Sequence, residues 1–334
     1  MNLSRFLIFS IALFASTCAR TTVHPAFNVI VLGAGGGLDE SNLSCYLISP
    51  FNDNRFIALD AGTIFSGIQK AELAGSFSDV KRSELQGLAL APWLMKRGIK
   101  AYLISHAHFD HTSGMIINSP DDGNKVIFGL QNTIDDLRDH VFNGKSWINF
   151  GNEGEGAISR YRLVRANPRV PFEIQDTPFR VTAFPLSHSN RGSTAFLIES
   201  NGQFALYFGD TGPDIIEKST NMQQVWNAVA PIVREQRLRG IFLEVSYPDG
   251  KPDNQLSSHL TPKWFMRELH DLAQTVNPAE QASALKSIRV IVTHIKPSHD
   301  PAINPRRLIQ DQLAAQNDLN LDFIFAEQGQ RFHL

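Results

Sequence analysis

The chain has 334 residues, 43% of them hydrophobic, enough to bury a large core in one big domain or two small ones. Lys and Arg number 31 against 33 Asp and Glu, a formal charge of −2 with no long basic run. That balance argues against a nucleic-acid partner held by counterion release and is compatible with a small charged ligand.

Arg5 precedes an apolar run over 6–15 and then Ser16-Thr17-Cys18-Ala19. This is the layout of a secretory signal peptide, too short to span a bilayer, where about 20 residues are needed, and it offers small residues for cleavage after Ala19. The expectation is a leader over 1–19 and a single domain over 20–334, exported to the periplasm or secreted, with no membrane span; lipidation at Cys18 is the weaker alternative. Removal of the leader leaves Cys45 as the sole cysteine and so no internal disulfide; its apolar setting predicts a buried strand residue without chemistry.

Segments rich in β-branched and aromatic residues predict strands over 27–32, 44–48, 55–59, 99–104 and 125–128. A second series covers 161–164, 179–184, 194–199, 204–208, 240–245, 288–293 and 323–326. Helical patterns fall within 85–97, 133–142, 262–276 and 305–316. Two series of strands with helices between them imply two sheets packed face to face with helices outside, an α/β sandwich. The glycines of 33–37 follow one predicted strand and lead into another, so they read as a strand-to-strand turn rather than a dinucleotide loop, which would open a helix. The stretch 151–156, GNEGEG, reads as a loop excursion near the site.

Immediately after the strand predicted over 99–104 come His106, His108, Asp110 and His111, four metal ligands in six positions. In an extended chain His106 and His108 point the same way and can grip one ion, while Asp110 and His111 turn toward another. Imidazole with carboxylate suits zinc best and tolerates manganese or iron, and paired ions of this kind are a common device for hydrolysing phosphodiesters. The remaining ligands should also lie at strand ends: His188, Asp210 and His294 do. Singly each is weak, because an Asp after Gly is commonly a turn former and a His at a strand end can simply cap it. Taken jointly they give His106, His108 and His188 to one ion, Asp110, His111 and His294 to the other, and Asp210 to both as a bridge, with a shared hydroxide completing the cluster.

The order His-x-His-x-Asp-His, a later His, an Asp after Tyr-Phe-Gly and a final His resembles the metallo-β-lactamase superfamily. Within it, the run HAHFDHTSGMIINSP over 106–120 resembles the motif of the class II 3′,5′-cyclic nucleotide phosphodiesterases, as do LGAGGGLDESNLSCYLIS and LDAGT, with Phe109 and Thr112 departing from the usual pattern at positions that are not ligands. The resemblance implies a four-layer αββα sandwich, a buried structural role for Asp60, two divalent ions, and hydrolysis of cyclic AMP, or cyclic GMP, to the nucleoside 5′-monophosphate. Glu244 and His259 resemble the Glu and His pair of the related tRNA 3′-end processing enzymes, in which the His, oriented by the Glu, donates a proton. Asp110, Glu244 and His259 are thus the catalytic candidates, Asp110 being a ligand as well. The superfamily also hosts thiolester and lactone hydrolases, and a binding protein without turnover is the reading from another class. Phe109 is a candidate wall of the substrate pocket; His140, His270 and His299 read as surface or core residues. The oligomeric state is left open, a dimer included.

Overall fold

The computed structural model describes residues 24–334; the expected leader and Cys18 lie outside these residues. The strands in chain order are β1 (Phe27–Gly33), β2 (Cys45–Pro50), β3 (Phe56–Leu59), β4 (Ile99–Leu103), β5 (Lys125–Gly129), β6 (Tyr161–Arg165), β7 (Phe172–Glu173), β8 (Arg180–Leu186), β9 (Ser193–Ser200), β10 (Gln203–Phe208), β11 (Leu238–Glu244), β12 (Arg289–Thr293), β13 (Asp322–Phe325) and β14 (Arg331–His333). They form two seven-stranded sheets, ordered β14-β1-β2-β3-β4-β5-β6 and β13-β12-β11-β10-β9-β8-β7.

Period-two alternation divides each strand between two cores. In β1, Val29 and Val31 point to the seam between the sheets, whereas Ile30 and Leu32 point to the helices outside. In β10, Ala205 and Tyr207 face the seam, and Leu206 and Phe208 pack outward against Trp226 and its neighbours. Both faces of these strands are buried, so β1 is buried at every position.

The first sheet is covered by α1 (Phe65–Leu73), α2 (Leu90–Trp93), α3 (Phe109–Asn118) and α4 (Gln131–Asp136). The second carries α6 (Asn221–Arg234), α7 (Pro262–Val276) and α9 (Pro305–Gln316), with two single-turn helices, α5 (Asp214–Glu217) and α8 (Gln281–Ala284), at their margins. The expected four-layer sandwich is therefore present.

Several elements depart from the sequence reading. The strand predicted over 161–164 opens the second series in sequence but pairs in parallel with β5, and the C-terminal β14 closes the first sheet against β1. Helix 262–276 and helix 305–316 match α7 and α9. Within 85–97, Gln86 and Gly87 both take positive φ, and α2 starts after them before widening into a π-type turn over Leu94–Gly98. The pattern over 133–142 likewise divides into α4 and a π-type turn over Leu137–Val141. Helices α1, α3 and α6 were not anticipated. Loop 151–156 folds back on Asn149, whose side-chain amide donates to the carbonyls of Glu153 and Glu155, and Glu153 pairs with Arg165.

Strands β3 to β6 run parallel, as do β10 to β13. Their carboxyl ends collect on one edge of the sandwich, where loops from both sheets meet.

Candidate metal centre

The nine site residues lie close to the ends of elements that meet at that edge, some just after a strand and others at the start of a helix. β4 leads into Ser105, His106 and His108; α3 begins at Phe109 and so carries Asp110 and His111 on its first turn. The extended geometry expected through the motif therefore stops at His108, because the 109–118 run packs Met115 and Ile116 on the first sheet as a helix. His188 follows β8, Asp210 follows β10, Glu244 ends β11, and His294 follows β12 with a left-handed backbone, φ 58°. His259 stands three residues ahead of α7.

Two groups of donors result. His106, His108 and His188 form one, with His108 Nδ1 3.3 Å from His188 Nε2. Asp110, His111, Asp210 and His294 form the other. Asp210 lies between them, its carboxylate 3.2 Å from His111 Nε2, 3.3 Å from His294 Nε2, and 3.8 Å from Nε2 of both His106 and His188.

Residues behind the donors fix the rings. Asp60 is fully buried, with φ 55°, and accepts from the Ser105 amide and hydroxyl (both 2.7 Å), His111 Nδ1 (2.7 Å) and the Tyr207 hydroxyl (2.6 Å). Its oxygens are thereby satisfied without direct contact with the donor cluster's open side. The Ser105 hydroxyl also accepts from His106 Nδ1 at 3.0 Å; His188 Nδ1 donates to the Ser258 carbonyl at 3.0 Å. Ser246 Oγ accepts from His294 Nδ1 at 3.0 Å and donates to Glu244, which also accepts from His259 Nδ1 at 2.7 Å. With Nδ1 committed as donor in His106, His111, His188 and His294, the network assigns Nε2 of these four rings as the lone-pair atom.

That assignment tests the fit of a cation. His111 Nε2 and His294 Nε2 face each other at 3.1 Å, two acceptors with no donor between them, and His106 Nε2 is buried without any hydrogen-bond partner. Such orphans are costly in a dry site unless something positive satisfies them. The converging imidazoles and carboxylates are the donor set of a divalent metal site.

The electrostatics agree at His106 and His188, while at His111 burial is outweighed by the Asp210 and Asp60 carboxylates, which draw positive charge to that point. Burial lowers the pKa of His106, and it pulls His188 down to about 4, so both are neutral and able to bind metal at ordinary pH. Burial opposes charge on Asp110, but the adjacent imidazoles of His294, 3.3 Å away, and His111 hold its carboxyl well below the usual range. Burial likewise works against a charged His259, and the Glu244 carboxylate outweighs it, keeping the imidazole above its ordinary value.

The family model for class-II cAMP phosphodiesterases matches residues 27–329. The chain belongs to that family. A 3′,5′-cyclic-nucleotide phosphodiesterase of Aliivibrio fischeri is 40% identical over 306 residues, 91% of this chain and 92% of that one. A probable 3′,5′-cyclic-nucleotide phosphodiesterase of Yersinia pestis is 39% identical over 324 residues, 97% and 92% of the two chains. Among solved structures, unliganded yeast PDE1 is similar with a TM-score of 0.82 at 24% identity, covering 93% of this chain and 100% of that one. The metallo-β-lactamase-fold protein YhfI of Bacillus subtilis gives 0.59 at 14% identity, over 93% and 100%. The sandwich is thus the metallo-β-lactamase fold.

Sequence reasoning passed over Ser105, Ser246, Tyr207 and Gly36, all of which contact the ligands or their supports. Gly36 backs directly onto the His294 ring: a Cβ there would stand 2.4 Å from Cε1. Ser105 and Ser246 adjoin named site residues in sequence, which was the available signal. His140 lines the cavity beside His106 and His108; His270 pairs with Asp318 at 2.9 Å, and His299 is exposed.

Proposed function

We propose that the chain is a metal-dependent 3′,5′-cyclic-nucleotide phosphodiesterase that converts cyclic AMP, or cyclic GMP, to the nucleoside 5′-monophosphate. The carrying observation is the pair of His/Asp donor groups joined through Asp210, buried but for exposed His108 and half-buried Asp110, with the Glu244–His259 pair beside them, in a chain of this family. His106, His108 and His188 would hold one ion, and Asp110, His111 and His294 the other, with Asp210 shared; zinc suits this donor set best, and manganese or iron is compatible with it. When bound, such ions would acidify a water for attack and offset charge on the phosphate oxygens.

The protein's own part is orientation and proton supply. Asp60 and Glu244, through Ser105 and Ser246, hold the imidazoles in the tautomer whose Nε2 faces inward. His259, tied at Nδ1 to Glu244, presents Nε2 as the donor that protonates the departing 3′ oxygen. A cavity of about 480 Å³ opens beside His106 and His108, walled by Phe109, His140 and Val141, with Arg191 and Asp136 paired at its rim. Its apolar wall and paired rim charges suit a nucleoside. Phe109 is 68% exposed there, a large apolar side chain with a free face.

The leader-like segment over 6–19 supports export, so the substrate would be met outside the cytoplasm. No described helix is long and apolar enough to cross a membrane. The deciding experiment is incubation of the purified protein with cyclic AMP and cyclic GMP, with product identification and a chelator control. Chelator-sensitive release of the 5′-monophosphate is expected. Recovery of unchanged cyclic nucleotide from metal-loaded protein would overturn the proposal.

A further inference from the structure

At the opposite edge of the sandwich, the amino ends of β4, β5 and β6 and the residues just ahead of β3 and β6 enclose a cavity of about 810 Å³. Lys100, near the start of β4, lies six residues of mostly extended chain from His106, about 20 Å. The cavity is therefore separate from the metal centre. Cations outnumber carboxylates seven to three in its lining, in a protein whose formal charge is −2.

Two of the three carboxylates, Asp53 and Glu84, are already occupied, leaving only that of Asp176 to answer the cations. Asp53 pairs with Arg55, which also donates to the Asp176 carbonyl, and Glu84 accepts from the Asn54 amide and the Lys81 backbone. Buried Lys125 is held by Asp122 and the Met95 carbonyl. Lys96, Arg97, Lys100 and Arg162, by contrast, have no carboxylate within ion-pair distance among the described residues. A solvated face can carry such charges singly at little cost, but a concave wall focuses their fields on one volume. The mutual cost is visible at Lys125: burial first, then the charges of Lys100 and Arg160, pull its ammonium below the ordinary value against the attraction of Asp122.

We infer that this cavity binds a phosphate chain, the di- or triphosphate of an inorganic polyphosphate or of a nucleoside polyphosphate. One phosphate would leave most of the unpaired cations unanswered, whereas a chain of two or three reaches several at once. The volume lies within the range of small-molecule sites and accommodates either source. No part of this rests on the activity proposed for the metal centre.

The test is calorimetric titration of the metal-loaded protein with tripolyphosphate and with ATP, in wild type and in a variant carrying R97E, K100E and R162E. Because the metal centre can also take phosphates, the reading is the difference between the two proteins. Wild type should show a site, weakened by added NaCl, that binds at least about tenfold more weakly in the variant, while the turnover of both proteins stays equal. A neutralising pair, K96Q with R162Q, should give an intermediate loss. ATP binding tighter than tripolyphosphate would assign the ligand to the nucleoside polyphosphates, and equal affinities would assign it to the phosphate chain alone. Identical titrations of wild type and the triple variant would overturn the inference.

Discussion

At the scale of single residues, His259 and Gly36 separate chemistry from construction. His259 is 5% exposed, bonded at Nδ1 to Glu244, and contributes no atom to the two principal donor groups. His259→Ala is expected to keep its metal and lose roughly 10²–10⁴ in kcat, the usual range for a general acid; metal content measured beside the rate checks both halves. Asp210→Ala should lose metal and activity together, since its carboxylate touches both groups. Gly36→Ala gives a third pattern. Its Cβ would meet the His294 ring at 2.4 to 2.9 Å, so the ring or the loop must move. Metal affinity should fall about 10- to 100-fold, as when a support behind a ligand is lost. Competition against a chromogenic chelator measures it, and unchanged affinity would remove Gly36 from the account.

At the scale of elements, the packing of α6 on α7 contains a buried acid. Glu268 is 3% exposed; it accepts from Trp226 Nε1 at 3.1 Å and from the Asp214 amide at 3.2 Å. Asp214 in turn receives the first amides of α6, those of Met222 and Gln223. Burial pushes the Glu268 carboxyl up to about 7, with Asp214 and Asp271 adding repulsion. The folded state therefore binds this proton more tightly than the unfolded chain. Its stabilising contribution is complete below about 4.5 and is lost as pH rises to about 7, a change of roughly 3 kcal/mol. Urea unfolding of wild type and Glu268→Gln across that window should show the slope in wild type and its loss in the variant. The long amphipathic α7 and α9 were legible in sequence because three turns or more of periodic apolar residues admit one reading. Helix α6 was not, because Pro231 interrupts its pattern and its amino end is capped by Asp214, seven residues ahead of Asn221. The convergence of the His and Asp donors was legible because metal coordination restricts residue type so tightly. Their supports were not, since a serine such as Ser105 or Ser246 has the same letter whether it faces solvent or holds an imidazole.

At the scale of the whole molecule, the last strand returns to the first described one. β14 pairs with β1, and the Leu334 carbonyl accepts from the amides of Ala26 and Phe27. Deleting 331–334 would remove two buried side chains, Phe332 and Leu334, for a loss of about 3–6 kcal/mol, and would leave β1 as an unpaired apolar edge open to self-association. Urea unfolding and light scattering would register the two effects; a truncated protein of native stability would refute the argument. The same view bears on the ligand set. His106, His108, Asp110 and His111 come from the first sheet, and His188, Asp210 and His294 from the second. Bound cations would therefore act as rivets across the apolar seam, since neither half of the sandwich holds all the candidate donors. Turnover is in that sense a gauge of alignment. Any substitution in the seam that slides one sheet over the other by an ångström would silence the enzyme with every site residue unchanged in the sequence and each half folded.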